Sequence, residues 1–275
     1  MYPELRERDF EKISRLVYDL CGINLHDGKK ELVKARLGKR IREGNFKSFA
    51  DYYRHVTTPE GQDELIVMID SLSTNLTYFF REDKHFQKLR YLVPPILNGG
   101  GRGRRETLRV WSAGCSTGEE PYSLAIALRE TPELAGGDFR ILATDISTRV
   151  LKTAVAGIYP AEKVERIPRD ILYRYFQYGT GQSAGYYRVK KEVRDLVEFR
   201  RFNLMEEPPA DFRFHVVFCR NVMIYFDKET QNAVVERFYR CLVKGGYLFV
   251  GHSESLTGLR HPFRYVEPSI YRKME

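Results

Sequence analysis

Cysteine is scarce in this chain of 275 residues, and its few cysteines stand far apart. They form no C-x-x-C pair, and no histidine cluster accompanies them. This pattern argues against a disulfide framework and against a structural metal site, so we expect no metal ion and a cytoplasmic setting. The cysteines are Cys21, Cys115, Cys219 and Cys241.

Long hydrophobic runs are also missing. The longest apolar stretch, His215 to Phe226, is interrupted by Arg220 and Asn221 and is too short to cross a bilayer. Charges throughout residues 1–15 predict that no secretory signal peptide is present. The composition, 43% hydrophobic and 30% charged, is that of an ordinary globular protein without direct membrane insertion. The net charge of +8 predicts an acidic partner: nucleic acid, an anionic membrane or an acidic protein.

The G-x-G-x-x-G motif of dinucleotide-binding proteins is incomplete in the most informative segment, residues 110–123. Its sequence, V-W-S-A-G-C-S-T-G-E-E-P-Y-S, predicts a buried strand, a turn bracketed by Gly114 and Gly118, and a helix. Glycine there lets the backbone approach a nucleotide-like cofactor closely. Glu119 and Glu120 would repel a pyrophosphate at the helix start. We therefore expect an adenosyl ligand without phosphate, which points to S-adenosylmethionine (SAM).

Helical spacing of apolar residues dominates the first part of the chain, and no strand pattern occurs before Leu108. Residues 1–80 therefore predict an all-α N-terminal domain, followed by a linker helix and loop over 81–107. Within the linker, the glycine- and arginine-rich residues 94–107 predict a loop. The helices expected in the N-terminal domain cover 5–21, 28–43, 48–56 and 60–72.

Strands alternate with helices over residues 108–275, which predicts an α/β domain with a mainly parallel, doubly wound sheet. Residues 157–201 break the alternation and predict an inserted helix with a small β subdomain. The expected strands are 108–113, 139–144, about 196–202, 214–219 and 246–251, and the expected helices lie near 119–130, 147–156 and 229–242.

Polar residues follow three of the predicted strands. Asp145 ends the second strand, where a carboxylate can accept both hydroxyls of an adenosine ribose. Asn203 and Asn221 follow later strands, at the sheet edge where ligands bind, and an amide can both donate and accept. Turn formation is the ordinary alternative for the two asparagines.

Helix capping offers an ordinary alternative for other polar residues. Ser116 or Thr117 is the expected N-cap of the helix after the glycine turn, with one of the two glutamates as its capping-box partner. Asp145 in turn can cap the helix that starts near Ser147.

Two further segments carry charge that suits an acidic ligand. Arg81 belongs to a polar and aromatic segment, residues 73–82, and its planar guanidinium suits bidentate binding of a carboxylate. The alternative is that this segment is a loop with a buried aromatic anchor. Residues 28–47 contain eight basic residues and only two acidic ones, which favours a binding surface over a merely solvated helix face.

Three long motifs and one short one give the chain a family resemblance over nearly its whole length. They are Thr74-Asn-Leu-Thr-Tyr-Phe-Phe-Arg-Glu82, Trp111-Ser-Ala-Gly-Cys-Ser-Thr-Gly-Glu-Glu-Pro-Tyr-Ser123, Cys219-Arg-Asn-Val-Met-Ile-Tyr-Phe-Asp227 and Gly251-His-Ser-Glu254. The chain thereby resembles the bacterial chemotaxis receptor methyltransferases, CheR. The resemblance implies a helical N-terminal domain, a Rossmann-like SAM methyltransferase domain and a small inserted β subdomain. It implies methyl esterification of glutamates on the cytoplasmic helices of chemoreceptors, with S-adenosylhomocysteine as the product.

The resemblance also implies roles for individual residues. Glu119 would contact the methionyl ammonium and Asp145 the ribose, and Arg81 and Tyr225 would lie nearest the transferring methyl group. Besides the backbone at Gly114, the residues expected around the cofactor are Asn75, Thr77, Arg81, Glu119, Asp145, Asn203, Leu204, Arg220 and Asn221.

Receptor recognition is implied for basic residues of the second helix, namely Arg36, Lys39, Arg40 and Arg42. Some family members also bind a C-terminal receptor pentapeptide on the β subdomain. The sequence does not distinguish a pentapeptide-binding version from one that lacks this function.

Two other functions compete with receptor methylation. A nucleic-acid methyltransferase would suit the basic charge, but such enzymes carry an Asp/Asn-Pro-Pro-aromatic tetrad where this chain has Cys-Arg-Asn-Val, residues 219–222. A non-catalytic adaptor is the second alternative; the presence of Glu119, Asp145, Arg81 and Tyr225 argues against it.

Overall fold

The computed structural model describes residues 3–73, 75–98, 107–134 and 138–275. Its helices are α1 Glu7–Cys21, α2 Lys30–Glu43, α3 Phe49–Val56, α4 Gln62–Leu72, α5 Lys84–Asn98, α6 Glu119–Arg129, α7 Thr148–Ala156, α8 Ala161–Val164, α9 Arg169–Tyr175, α10 Lys191–Arg194 and α11 Lys228–Cys241. Its strands are β1 Leu108–Ala113, β2 Phe139–Asp145, β3 Ile158–Pro160, β4 Phe176–Tyr178, β5 Tyr186–Val189, β6 Val197–Arg201, β7 Phe214–Cys219, β8 Leu242–Val250, β9 Arg264–Glu267 and β10 Ile270–Arg272.

A seven-stranded sheet in the order β6-β2-β1-β7-β8-β10-β9 forms the centre of the molecule. The first five strands in this order are parallel, and β10 pairs antiparallel with both β8 and β9. A separate antiparallel sheet, β3-β5-β4, lies in the insertion. These two sheets confirm the predicted α/β fold with a small inserted β subdomain.

Four helices, α1 to α4, form the all-α N-terminal part that the sequence predicts. Apolar residues about one helical turn apart make its core. Phe10, Ile13 and Val17 of α1 belong to the same buried cluster as Val33 and Leu37 of α2. Among the described residues, no helix is long and apolar enough to cross a membrane.

Successive side chains of β1 point to opposite faces of the central sheet, so this strand contributes to the hydrophobic core on each face. Val110 belongs to the core under α5 and α6, and Trp111 belongs to the core on the opposite face. Trp111 is fully buried among the rings of Phe212, Phe214 and Phe238.

The structure corrects several sequence expectations. Helix α5 continues to Asn98, so the first residues of the loop expected over 94–107 are helical. Residues 99–106 of that expected loop lie outside the described residues. Strand β6 confirms the strand expected at about 196–202 and joins the central sheet, and the last strand of the inserted sheet ends at Val189. The β9–β10 hairpin was not predicted, because its few residues give too short a pattern to detect.

Hydrogen bonds at the end of α1 join the helical domain to loops that follow the central strands. Tyr18 Oη donates to Asp227 Oδ2 at 2.6 Å, and Asn203 Nδ2 donates to the Leu20 carbonyl at 2.6 Å. The Asn24 amide donates to the Tyr225 carbonyl at 2.8 Å. These contacts attach the end of α1 to the loops at the carboxyl edge of the parallel strands.

The buried indole of Trp111 gives a test of this core. Its Nε1–H donates to Thr144 Oγ1 at 2.9 Å. Thr144→Val keeps the side-chain shape but leaves this donor unsatisfied, which should lower the free energy of unfolding by about 1–3 kcal/mol. Urea unfolding measures the loss. Thr153→Val, at an exposed position of α7, is the matched control and should change stability by less than about 0.5 kcal/mol. Equal effects of the two substitutions would contradict this account.

Candidate functional site

A cavity lies at the carboxyl edge of β1, β2 and β7, beneath the segment that leads from α4 to α5. In parallel α/β sheets this edge is where ligands bind. Ten of the eleven residues expected at the cofactor or the transfer site line it: Asn75, Thr77, Arg81, Gly114, Asp145, Asn203, Leu204, Arg220, Asn221 and Tyr225. Glu119 is the eleventh, and it is not among the described lining residues.

The glycine turn after β1 forms one wall of the cavity. Gly114 has φ +82°, and a Cβ there would lie 2.4 Å from Val222 Cγ2, so glycine is required for this close approach. The N-cap of α6 is Gly118, without a side-chain cap, which corrects the expectation of Ser116 or Thr117. Ser116 Oγ donates instead to the Asn75 carbonyl at 3.2 Å.

Asp145 is held in place by backbone donors. Its two oxygens accept from Ser116 N at 2.8 Å and Ser147 N at 2.9 Å. Burial raises the pKa of Asp145, and the two amide contacts oppose that rise. Ser147 is the N-cap of α7, so capping is not the role of Asp145. Each carboxylate oxygen keeps a further lone pair, which suits ribose hydroxyls.

The two neighbouring glutamates at the start of α6 have different surroundings. Glu119 is fully buried, and its carboxylate contacts Lys163 Nζ at 3.2 Å and Thr117 Oγ1 at 2.6 Å. Glu120 lines the cavity and accepts from Ser112 Oγ at 2.7 Å. Of the two glutamates, Glu120 therefore lines the cavity, whereas Glu119 is paired with Lys163.

Arg220 lies at the end of β7 with a side chain that is 1% exposed. Its guanidinium contacts Glu82 Oε2 at 3.2 Å and Glu120 Oε2 at 3.3 Å, and it also donates to the Arg81 carbonyl. Burial raises the pKa of Glu120, and Arg220 opposes the rise. Arg220 thus joins three elements of the site and compensates two partly buried carboxylates.

The loop that carries Asn221 and Tyr225 is held by a residue to which sequence reasoning gave no role. Glu254 is buried, and its carboxylate accepts from the amides of Asn221 (2.7 Å), Val222 (3.0 Å) and Ile224 (3.2 Å). Burial raises the pKa of Glu254, and these amides oppose the rise. The only sequence signal was its place in the motif Gly251-His-Ser-Glu254.

The segment between α4 and α5 forms the opposite wall. Asn75 Nδ2 is buried and has no hydrogen-bond partner within the described chain. Thr77 is fixed through its carbonyl, which accepts from Lys163 Nζ at 3.1 Å. Arg81 Nη1 donates to the Leu76 carbonyl at 2.8 Å. An unpartnered buried amide that faces a cavity is a group that a ligand can satisfy.

The basic residues expected to bind the receptor lie on α2 and do not line the cavity. Within the helical domain, Arg40 forms a bidentate pair with Glu64 at 2.6 and 2.5 Å, and Arg36 Nη1 donates to the Leu72 carbonyl at 2.7 Å. Lys39 Nζ lies 3.8 Å from Glu43 Oε1. Arg42 is exposed, and the side chain of Lys39 is 71% exposed.

A cluster of Glu82, His85 and His252 adjoins Arg220, with potential ligand atoms within 4.8 Å of one another. His85 is buried, and neither of its ring nitrogens has a hydrogen-bond partner among the described residues. Glu82 Oε2, however, already contacts Arg220, and it accepts from the His252 amide at 3.2 Å. We therefore interpret the cluster as support for Arg220.

Two protein-family models match the helical part and the α/β part of the chain. Residues 8–73 match the family model described as "CheR methyltransferase, all-alpha domain", and residues 75–272 match "CheR methyltransferase, SAM binding domain". The chain belongs to the CheR methyltransferase family. It is therefore a SAM-dependent methyltransferase.

Named CheR relatives cover nearly the whole chain. "Chemotaxis protein methyltransferase 2" of Pseudomonas aeruginosa is 43% identical, over 96% of this chain and 92% of its own length. "Chemotaxis protein methyltransferase" of Escherichia coli is 40% identical, over 97% and 91%. The protein of the same name from Borreliella burgdorferi is 39% identical, over 96% and 94%.

The cavity residues fit the cofactor of the CheR family. Asp145 and Glu120 supply carboxylates, and Asn75 supplies an unpartnered amide donor. The missing Cβ of Gly114 leaves the backbone accessible at the turn. The two carboxylates can accept from the hydroxyls and the ammonium of SAM, and the amide can donate to its adenine edge.

The buried histidine beside Arg220 predicts a pH effect on stability. Burial, together with Arg220 and His252, lowers the pKa of His85 from 6.5 to about 4, although Glu82 opposes this. Between these values the unfolded chain binds a proton that the folded chain does not, so stability falls as the pH drops from about 6.5 to about 4. Between pH 7 and about 4.5 this loss amounts to about 2 kcal/mol.

His85→Phe removes the titrating group and should abolish this part of the acid sensitivity. Urea unfolding at several pH values measures the slope. His26→Gln, at an exposed position, is the control and should keep the slope of the wild type. A wild-type slope in the His85→Phe variant would contradict the assignment.

Proposed function

We propose that this methyltransferase transfers the methyl group of SAM to glutamate side chains on the cytoplasmic helices of a chemoreceptor, and that it acts in the cytoplasm. The observation that carries the proposal is membership of the CheR family, with relatives named chemotaxis protein methyltransferase over nearly the full length. The chemistry of the cavity supports the same acceptor.

Bound SAM supplies an electrophilic methyl group. A glutamate carboxylate, with a reference pKa near 4.3, is already an anion at neutral pH and needs no base. The described cavity lining contains no histidine or lysine, and Asp145 and Glu120 are both engaged in hydrogen bonds. This lining suits an acceptor that keeps no proton better than it suits an amine or a hydroxyl.

Orientation and exclusion of water are then the contributions of the protein. Arg81 presents a guanidinium to the cavity and is suited to orient the incoming carboxylate. Tyr225 lines the transfer site from the turn Met223–Tyr225. On the cofactor side we assign Glu120 to the ammonium and Asp145 to the ribose, and the remaining contacts to Asn75, Thr77, Gly114, Asn203, Leu204, Arg220 and Asn221.

Receptor docking is proposed for two further surfaces. On α2, Lys39 and Arg42 are exposed, and they are the best placed to contact an acidic receptor helix. Arg36 and Arg40 are less exposed and hydrogen-bond to other residues of the helical domain. On the inserted sheet, a receptor pentapeptide would meet the groove beside Tyr178 and Tyr186, which are both about half exposed.

Label transfer tests the reaction. Purified chain is incubated with methyl-labelled SAM and the cytoplasmic fragment of a chemoreceptor, and the product is treated with mild base. A glutamyl methyl ester releases labelled methanol, and this is the expected result. Label that stays on the receptor after base, or no transfer at all, would contradict glutamate esterification; the latter is the result for an adaptor.

The assignment of Arg81 and Tyr225 predicts an order of effects. Arg81→Ala removes a charged orienting group and should lower kcat/KM about a hundredfold. Tyr225→Phe removes only a hydroxyl and should cost about tenfold or less. Initial rates with the receptor fragment give the comparison, with S-adenosylhomocysteine affinity and unfolding curves as controls for folding. The reverse order would reject these roles.

A further inference from the structure

We propose that Arg166 is a specificity residue that binds a second carboxylate of the acceptor protein, beside the glutamate that is methylated. The inference rests on the proposed function and specifies its substrate. Its starting point is Tyr78, which lines the cavity and is 36% exposed at the mouth. Two guanidiniums lie over this ring: Arg81 Cζ is 5.8 Å and Arg166 Cζ is 5.5 Å from its centroid.

Neither guanidinium has a carboxylate partner in the part of the chain that the structure describes. Arg81 donates to a backbone carbonyl, and the only contact found for Arg166 is the ring of Tyr78. Arg220, by contrast, contacts two carboxylates. Two like charges that share one ring repel each other, and an acidic ligand at the mouth relieves that repulsion.

The backbone around Arg166 is fixed relative to the cavity. Val164 and Ile167 on either side are buried in the core, and Ile167 N donates to the Val164 carbonyl at 3.0 Å. Lys163, at the same turn, reaches across to the Thr77 carbonyl at 3.1 Å. Arg166 therefore extends from an anchored turn of the insertion toward the segment that carries Arg81.

The spacing of the two arginines suits an acidic helix. Because both Cζ atoms lie within 6 Å of one centroid, they are at most about 12 Å apart. One helical turn advances about 5.4 Å, and two turns advance about 11 Å. When Arg81 orients the acceptor glutamate, a carboxylate one or two turns along the same helix can reach Arg166, whose planar fork suits bidentate binding.

The test compares two charge-neutralising substitutions in the insertion. Arg166→Gln removes the proposed contact, and Arg169→Gln, at an exposed position three residues further on, removes the same charge elsewhere. Base-released labelled methanol from the receptor fragment gives kcat/KM. Arg166→Gln should lower kcat/KM for the receptor about fivefold and leave the KM for SAM unchanged. The deficit should shrink as ionic strength rises from about 0.05 to about 0.5 M.

Receptor variants test which receptor glutamates bind Arg166. With glutamates one or two turns from the acceptor replaced by glutamine, wild type and Arg166→Gln should show equal kcat/KM. Equal values for Arg166→Gln and Arg169→Gln on the intact receptor, or a changed KM for SAM, would overturn the inference while the proposed function stands. A wild type that releases no methanol would overturn the proposed function and this inference together.

Discussion

The geometry of the site depends on the burial of one positive charge, the guanidinium of Arg220. A guanidinium that is 1% exposed is costly to remove from water unless it is paired and hydrogen-bonded. Arg220 pairs with Glu82 and Glu120, and it donates to Glu82 and to the Arg81 carbonyl. The two carboxylates come from different elements, the segment before α5 and the start of α6. Loss of one partner of such a pair costs about 3–5 kcal/mol, so the geometry of the cavity and the stability of the fold depend on the same contacts.

The cavity arises because two domains meet at one edge of the sheet. The parallel strands direct their carboxyl ends toward it, and the glycine turn at Gly114 lets the loop after β7 approach. The helical domain closes the other side through the contact of Asn203 with the Leu20 carbonyl. A cofactor bound there is shielded from water on the side away from the mouth, and the mouth carries Arg81, Tyr78 and Arg166. In the proposed function, cofactor binding and acceptor selection are thereby separated in space.

The fold class and most of the cavity residues could be predicted from the sequence, because the patterns that indicate them are local. The turn at Gly114, the carboxylate of Asp145 and the alternation of strands and helices each depend on residues close together in the chain. That Glu120 lines the cavity and Glu119 does not could not be predicted, since Lys163, which pairs with Glu119, lies 44 residues away. Likewise, the pairing of Arg40 with Glu64 depends on how α2 and α4 pack, which no local pattern reveals.

The central claim is that a single cavity at the sheet edge holds SAM between Asp145 and Glu120. A crystal structure of the full chain with S-adenosylhomocysteine tests it most directly. The account predicts ribose hydroxyls on the Asp145 carboxylate and an ammonium closer to Glu120 than to Glu119, with Lys163 still paired to Glu119. A ligand outside this cavity, or an ammonium bound by Glu119 after displacement of Lys163, would contradict it.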